Sequence, residues 1–202
     1  MECIVLTNHD QKSYIEDGDV IGFAKRYIEE YHKARDYGKT VDFTVIFGIE
    51  VTMEKYPAVH MLIYGVPEEF LLENPCVFDL TQEELYELVK SYGGILVQAH
   101  PFRNGATVLD VNYLDGLEIN CHPLYNTSHA EVLMNIAEEN NLALTCGGDF
   151  HADTYRPQCG MYLPDCLFDT FELAKHILYE DEITLCIHEP DADSTYKYTY
   201  TR

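Results

Sequence analysis

Positive charge is scarce in this chain. Thirteen lysines and arginines stand against 35 aspartates and glutamates in 202 residues, a net charge of −22. Such a surface repels a nucleic-acid backbone or an anionic membrane, so neither is expected as the main partner. A small phosphorylated substrate is not excluded, because bound metal ions reverse the field locally. Long apolar runs are also missing: none approaches the roughly 20 residues of a membrane-spanning helix, and no signal peptide opens the sequence. The seven cysteines (Cys3, Cys76, Cys121, Cys146, Cys159, Cys166 and Cys186) include no C-x-x-C pair. Their odd number and mostly apolar settings favour reduced core thiols over disulfides or a structural zinc site. These absences together lead to the expectation of a cytoplasmic protein. No linker, composition shift or internal repeat divides the chain, which is expected to form one domain over residues 1–202.

What is present is an alternation of apolar runs and amphipathic stretches. Met1 to Thr7, with Cys3-Ile4-Val5-Leu6 at its centre, reads as a buried strand ending in the polar cluster Thr7-Asn8-His9-Asp10. Ile21, Ala24, Ile28 and Tyr31 recur at helical spacing within residues 20–37. The β-branched run from Phe43 to Val51 predicts one strand, and Val59–Tyr64 a second that pairs with it as a hairpin. Thr81-Gln82-Glu83-Glu84 is a capping-box start for a helix to about Tyr92, ended by Gly93-Gly94. Strands then follow at Ile95–His100, Leu117–Asn120, Leu142–His151 and Glu182–Ile187, with helices at His129–Asn140 and Asp169–Tyr179 between them. The tail over residues 189–202 is Tyr-rich with weak alternation and is assigned no element. This spacing implies an α/β fold with a mainly parallel, buried sheet.

Residues able to bind a metal collect where the predicted strands end: His9, Glu50, His60, His100, Asn120, Asp149 and His151. In an extended segment residues i and i+2 share a face, so Asp149 and His151 are expected to point the same way. The C-terminal ends of buried strands are where α/β proteins keep their chemistry. Each residue has an ordinary alternative: a satisfied core histidine for His60, a lysine partner for Glu50, a strand terminator for His100. Charged groups near a core need partners, however, and a shared divalent cation serves all of them. Mixed imidazole and carboxylate donors suit zinc, manganese or iron.

These residues resemble the PHP superfamily, named for its polymerase-associated and histidinol phosphatase members. The matching pieces run in family order along nearly the whole chain: Thr7-Asn8-His9-Asp10 for T-D-H, Gly48-Ile49-Glu50 for G-x-E, and Val59–Gly65 for H-x-L-G. Gly93-Gly94-Ile95 with Gln98-Ala99-His100-Pro101 matches the G-G…A-H-P block, Glu118-Ile119-Asn120 the E-[IV]-x segment, and Gly147–His151 G-S-D-x-H. The resemblance implies a distorted barrel of seven βα units with two or three metals at the strand ends. Glu50 would bridge two of them, with His60 and His100 completing one site and His9 and His151 serving another. Asp149 would serve the remaining metal with a histidine pair from the family's first, H-x-H, strand. That strand has no counterpart here, so the first βα unit is expected to be missing, either because the chain begins at an internal methionine or through true loss. Asn8 replaces the usual acid, and Gly148 the usual serine.

The function so implied is that of a phosphoesterase with one to three divalent metals per chain. It would hydrolyse a small phosphate monoester or nucleotide with a metal-activated water. Arg103 is the candidate phosphate clamp, with a surface salt bridge as its alternative. His122 is a candidate ligand or proton donor, or a solvated loop histidine; Asn126 and Tyr155 receive no role. A catalytically degenerate metal- or ligand-binding domain is the competing reading, and an amidohydrolase a third. An open barrel edge would invite a homodimer.

Overall fold

Short apolar runs of this sequence become strands and the amphipathic stretches pack over them. The computed structural model describes residues 3–125, 127–155, 159–165, 167–189 and 193–201. Parts of four readings (the first strand's opening Met1 and Glu2, Cys166, Asn126, and residues 190–192 and 202 of the tail) lie outside the described residues.

The chain begins with β1 (Cys3–Leu6) and β2 (His9–Asp10), then enters the long helix α1 (Val20–Thr40), which Asp19 caps by accepting from Gly22 N at 2.9 Å. β3 (Thr44–Phe47) and β4 (Ile49–Thr52) occupy the run predicted as one strand. The two are interrupted at Gly48, where only glycine fits: an added Cβ would lie 2.8 Å from Thr7 Cγ2. Tyr27 of α1 steadies this interruption, its single hydroxyl proton shared between Asn8 O at 2.7 Å and Gly48 O at 3.0 Å. β1 pairs in parallel with β3, and β2 with β4, so that His9 lies opposite Glu50. β1 is half-buried, with Ile4 36% exposed, and not the buried strand its composition predicts. It pairs in a two-stranded sheet at the margin of the fold, where its side chains cannot be covered on every face.

β5 (His60–Tyr64) returns antiparallel to β4, the expected hairpin. The short helix α2 (Phe70–Glu73) and the helix α3 (Gln82–Ser91) follow, the latter with its reciprocal Thr81–Glu84 capping box formed. β6 (Ile95–Ala99) pairs antiparallel with β5, and β7 (Gly116–Asn120) parallel with β6. After α4 (Ala130–Asn140), β8 (Ala143–Gly147) adds to β7 in parallel. The six-stranded sheet thus runs β2-β4-β5-β6-β7-β8 and is mixed, β5 being reversed because the short 53–59 connection permits only a hairpin return. β2 and β8 are its edges; no closed ring of strands forms among the described residues. Ile49, Val51, Met61, Ile63, Leu96 and Leu117 pack one face of this sheet into the main core, and Leu62, Tyr64, Ile95 and Val97 the other.

The last elements are β9 (Gly160–Met161), α5 (Thr170–Tyr179), β10 (Glu182–Glu189) and β11 (Ser194–Thr201). The Tyr-rich tail, given no structure above, pairs along the whole of β10. Tyr200 explains the seating: it is buried, and its hydroxyl donates to Leu142 O at 2.6 Å. No helix among the described residues is long and apolar enough to cross a membrane.

Candidate metal centre

The reversal of β5 decides where His60 sits. It starts its strand, opposite Thr52 of β4 and Ala99 of β6, so it shares an edge with residues that end theirs. Glu50, buried in β4, aims one carboxylate oxygen, Oε1, at three imidazoles: His60 Nδ1 at 2.8 Å, His100 Nε2 at 3.2 Å and His9 Nδ1 at 4.0 Å. Burial pushes the Glu50 carboxyl upward, but hydrogen bonding with His100 and His60 and the proximity of His9 outweigh it and hold the group well below the usual carboxylate range. Burial lowers the His9 imidazole, against the attraction of Glu50.

A second group lies alongside. Donor atoms of His122, Asp149 and His151 fall within 4.8 Å of one another, as do those of His9, Glu50 and His60. The His9 and His151 rings, 5.7 Å apart, join the two groups. Asp149 and His151 do not share a strand face as expected. β8 stops at Gly147, and Asp149 adopts a left-handed backbone conformation (φ 48°), so the turn itself folds the His151 ring back, Nδ1 3.1 Å from Asp149 Oδ1. The trios also divide the ligands differently from the expected sites: His9 stands with Glu50 and His60, and His122 with Asp149 and His151.

Arg103 follows His100 in a tight loop. Its guanidinium donates to Asp149 Oδ2 and Asn120 Oδ1 and lies 4.4 Å over the Tyr125 ring. The side chain is only 11% exposed, so this pairing belongs to the interior of the site and not to the surface. His122 is buried, its backbone N–H donating to Asn120 Oδ1 at 3.1 Å, and burial lowers its imidazole. Tyr155, too remote in sequence to be given a role, packs its ring 5.2 Å from that of His122.

Glu118 was legible only as a motif letter. It shares a face of β7 with Asn120, and its Oε2 accepts from Asn120 Nδ2 at 3.0 Å and from His100 N at 3.2 Å. Burial pushes its carboxyl up to about 7. Asp10, also buried and pushed up to about 7, leaves Oδ2 without a hydrogen-bond partner. The expectation of core thiols needs correction. Cys76 is exposed, and Cys3, Cys159 and Cys186 are partly exposed, because Cys76 lies in a loop and the others border less tightly packed margins; among the described cysteines, Cys121 and Cys146 alone are buried.

The residues fit a divalent cation. Ligand atoms bonded at about 2.1 Å stand about 3 Å apart in one coordination sphere, close to the Glu50–His60 and Glu50–His100 spacings. Imidazole nitrogens with a carboxylate form a donor set for zinc, manganese or iron. A cavity of about 1140 Å³ reaches the site; His9, Glu50, His100, Asp149 and His151 line it together with Val5, Tyr64 and Ile177.

No known protein family and no curated protein matches the sequence. Solved structures do share the fold. PsfC from Pseudomonas syringae superposes on 100% of this chain and 78% of its own, with a TM-score of 0.62 at 17% identity. The lesion-specific endonuclease PfuEndoQ from Pyrococcus furiosus matches 67% of this chain with a TM-score of 0.50 at 17% identity, a match spanning 39% of that enzyme. A proposed metal-dependent phosphoesterase from Bifidobacterium adolescentis covers 87% of this chain at 16% identity, but its TM-score of 0.49 carries no argument. At such identities the likeness is one of fold.

Proposed function

We propose that this chain is a metal-dependent phosphoesterase of the PHP type, a single domain built on a distorted and incomplete (β/α)7 barrel, acting on a small phosphate monoester or nucleotide. The observation that carries the reading is the convergence of His9, His60 and His100 on one oxygen of buried Glu50. His9, Glu50, His60 and His100 would hold one metal, and Asp149, His151 and His122 a second. Bound divalent ions would supply a nucleophilic water at neutral pH and offset the charge of the phosphoryl oxygens. Glu50 contributes a fixed negative charge and orients three imidazoles. Arg103, sitting between Asp149 and Asn120, is placed to exchange part of that pairing for phosphate oxygens. His122, held by Asn120, is the candidate proton donor to the leaving oxygen when it is not a ligand.

The net charge of −22 favours a small substrate over a nucleic-acid polymer, although one fold relative is an endonuclease. Pairing of two copies through a sheet edge is the proposed mode of any homodimer, read by light scattering of the purified chain.

The test is elemental analysis of the purified protein beside hydrolysis of an aryl phosphate with added manganese. Two manganese ions per chain, with turnover abolished in His100→Ala, are expected. One manganese or none, without turnover, favours the degenerate binding domain.

A further inference from the structure

Three cysteines that the proposed phosphoesterase does not use meet beside the sheet. Cys121 follows β7, Cys146 lies within β8 and Cys159 precedes β9, so residues 25 and 13 apart in sequence bring their sulfurs within 4.8 Å of one another. We propose that Cys121, Cys146 and Cys159 form a second, chemically distinct metal site, a three-thiolate centre for a soft divalent cation of the zinc class.

Geometry is the first argument. In a tetrahedral site with zinc–sulfur bonds of about 2.3 Å, sulfurs stand about 3.8 Å apart. Cys121 Sγ and Cys146 Sγ are 3.8 Å apart, so this pair is already at ligand spacing, whereas a disulfide would need about 2.05 Å. The surroundings are the second. The backbone N–H of His188 donates to Cys121 Sγ at 3.4 Å, the kind of outer contact that steadies a metal-bound thiolate. Gly148 leaves room for the third ligand: a Cβ there would lie 3.3 Å from Cys159 Sγ.

Access is the third. All three cysteines line the 1140 Å³ cavity, which provides an entry path and an open fourth position for water or an incoming group. Binding would release the thiol protons to solvent, including the one Cys146 donates to Cys186 O at 3.3 Å. Thiolates select zinc-like ions, while imidazole and carboxylate donors also accept manganese, so the two centres should load independently.

The test uses the full chain, reduced and stripped by a chelator, titrated with cobalt(II) alone. A near-ultraviolet thiolate-to-cobalt charge-transfer band whose amplitude at saturation corresponds to one thiolate-bound cobalt per chain is expected. Zinc should bleach it, and manganese should leave it intact. Cys121→Ser and Cys159→Ala should each weaken cobalt binding by tenfold or more, while His60→Ala and Cys76→Ser keep the band. Circular dichroism checks that each variant is folded. Cys159, only partly buried beside a two-residue strand, is the substitution least able to disturb the fold. No band in the wild-type chain, or a band that survives Cys159→Ala unchanged, overturns the proposal.

Discussion

Glu50 and Glu118 are two buried carboxyls a few ångströms from His100, and their surroundings drive them in opposite directions. Glu50 has imidazole partners and stays ionised, so Glu50→Gln removes the charge that a cation would meet. Manganese affinity should fall by at least the roughly 10–100-fold seen when outer contacts of a metal site are lost, as read by equilibrium dialysis. Glu118 has only an amide and a backbone N–H, and burial carries it from 4.5 to about 7. Below pH 4.5 both folded and unfolded chains hold that proton. Between 4.5 and 7 the unfolded chain releases it while the folded chain keeps it, so stability falls with rising pH by about 3 kcal/mol in total. Glu118→Gln removes this linkage. Its thermal midpoint in chelator should exceed that of the wild type at pH 8 and differ little at pH 4. Arg103→Ala separates two roles of one side chain: KM for an aryl phosphate should rise about tenfold, about 1.4 kcal/mol, while metal content is unchanged because Arg103 itself donates no ligand atom.

At the scale of elements, the site depends on two bends. One is the break between β3 and β4 at Gly48, beside Thr7, where the Tyr27 hydroxyl from α1 shares its proton between Gly48 O and Asn8 O, the latter also accepting from Glu50 N at 3.1 Å. Tyr27→Phe leaves Gly48 O buried without that donor, while Asn8 O keeps the Glu50 N–H, and denaturant unfolding should show a loss of about 1–3 kcal/mol. The other bend is the end of β8 at Gly147, where the chain leaves the sheet and turns Asp149 inward. The glycines in both places were visible in the sequence; the turn they permit was not. A strand expected to continue to His151 stops four residues early because Asp149 takes a left-handed backbone conformation (φ 48°) that no strand continues; Gly147, where a Cβ would come 2.2 Å from Glu118 Oε1, is its last paired residue. Capping signals were legible directly, since Thr81, Glu84 and Asp169 act within a few residues of themselves.

For the whole molecule, cation binding should be coupled to stability, because the donors come from six separate segments of the chain: β2, β4, β5 and the loops after β6, β7 and β8. A free metal at a hundred times its dissociation constant contributes about 2.7 kcal/mol. At about 2–4 °C per kcal/mol for a chain of this size, scanning calorimetry should show a rise of about 5–10 °C with manganese. The rise should shrink in His60→Ala, which removes a donor from one of the two sites. The same scale holds the least predictable features: sulfurs of Cys121, Cys146 and Cys159 meet, and Tyr200 locks the tail against Leu142, through contacts that no local pattern records.

Sequence alone determined the alternation of strands and helices, the hairpin at β4 and β5, and the metal-capable residues at strand ends. Those features follow from side-chain periodicity and from turn chemistry acting over a few residues. Tertiary structure decided which of those residues share an ion-sized space, that Arg103 is held by Asp149 and Asn120, and that Glu118 is kept protonated toward neutral pH. Distances between segments far apart in the chain, and the exclusion of water from them, exist only after the sheet has formed.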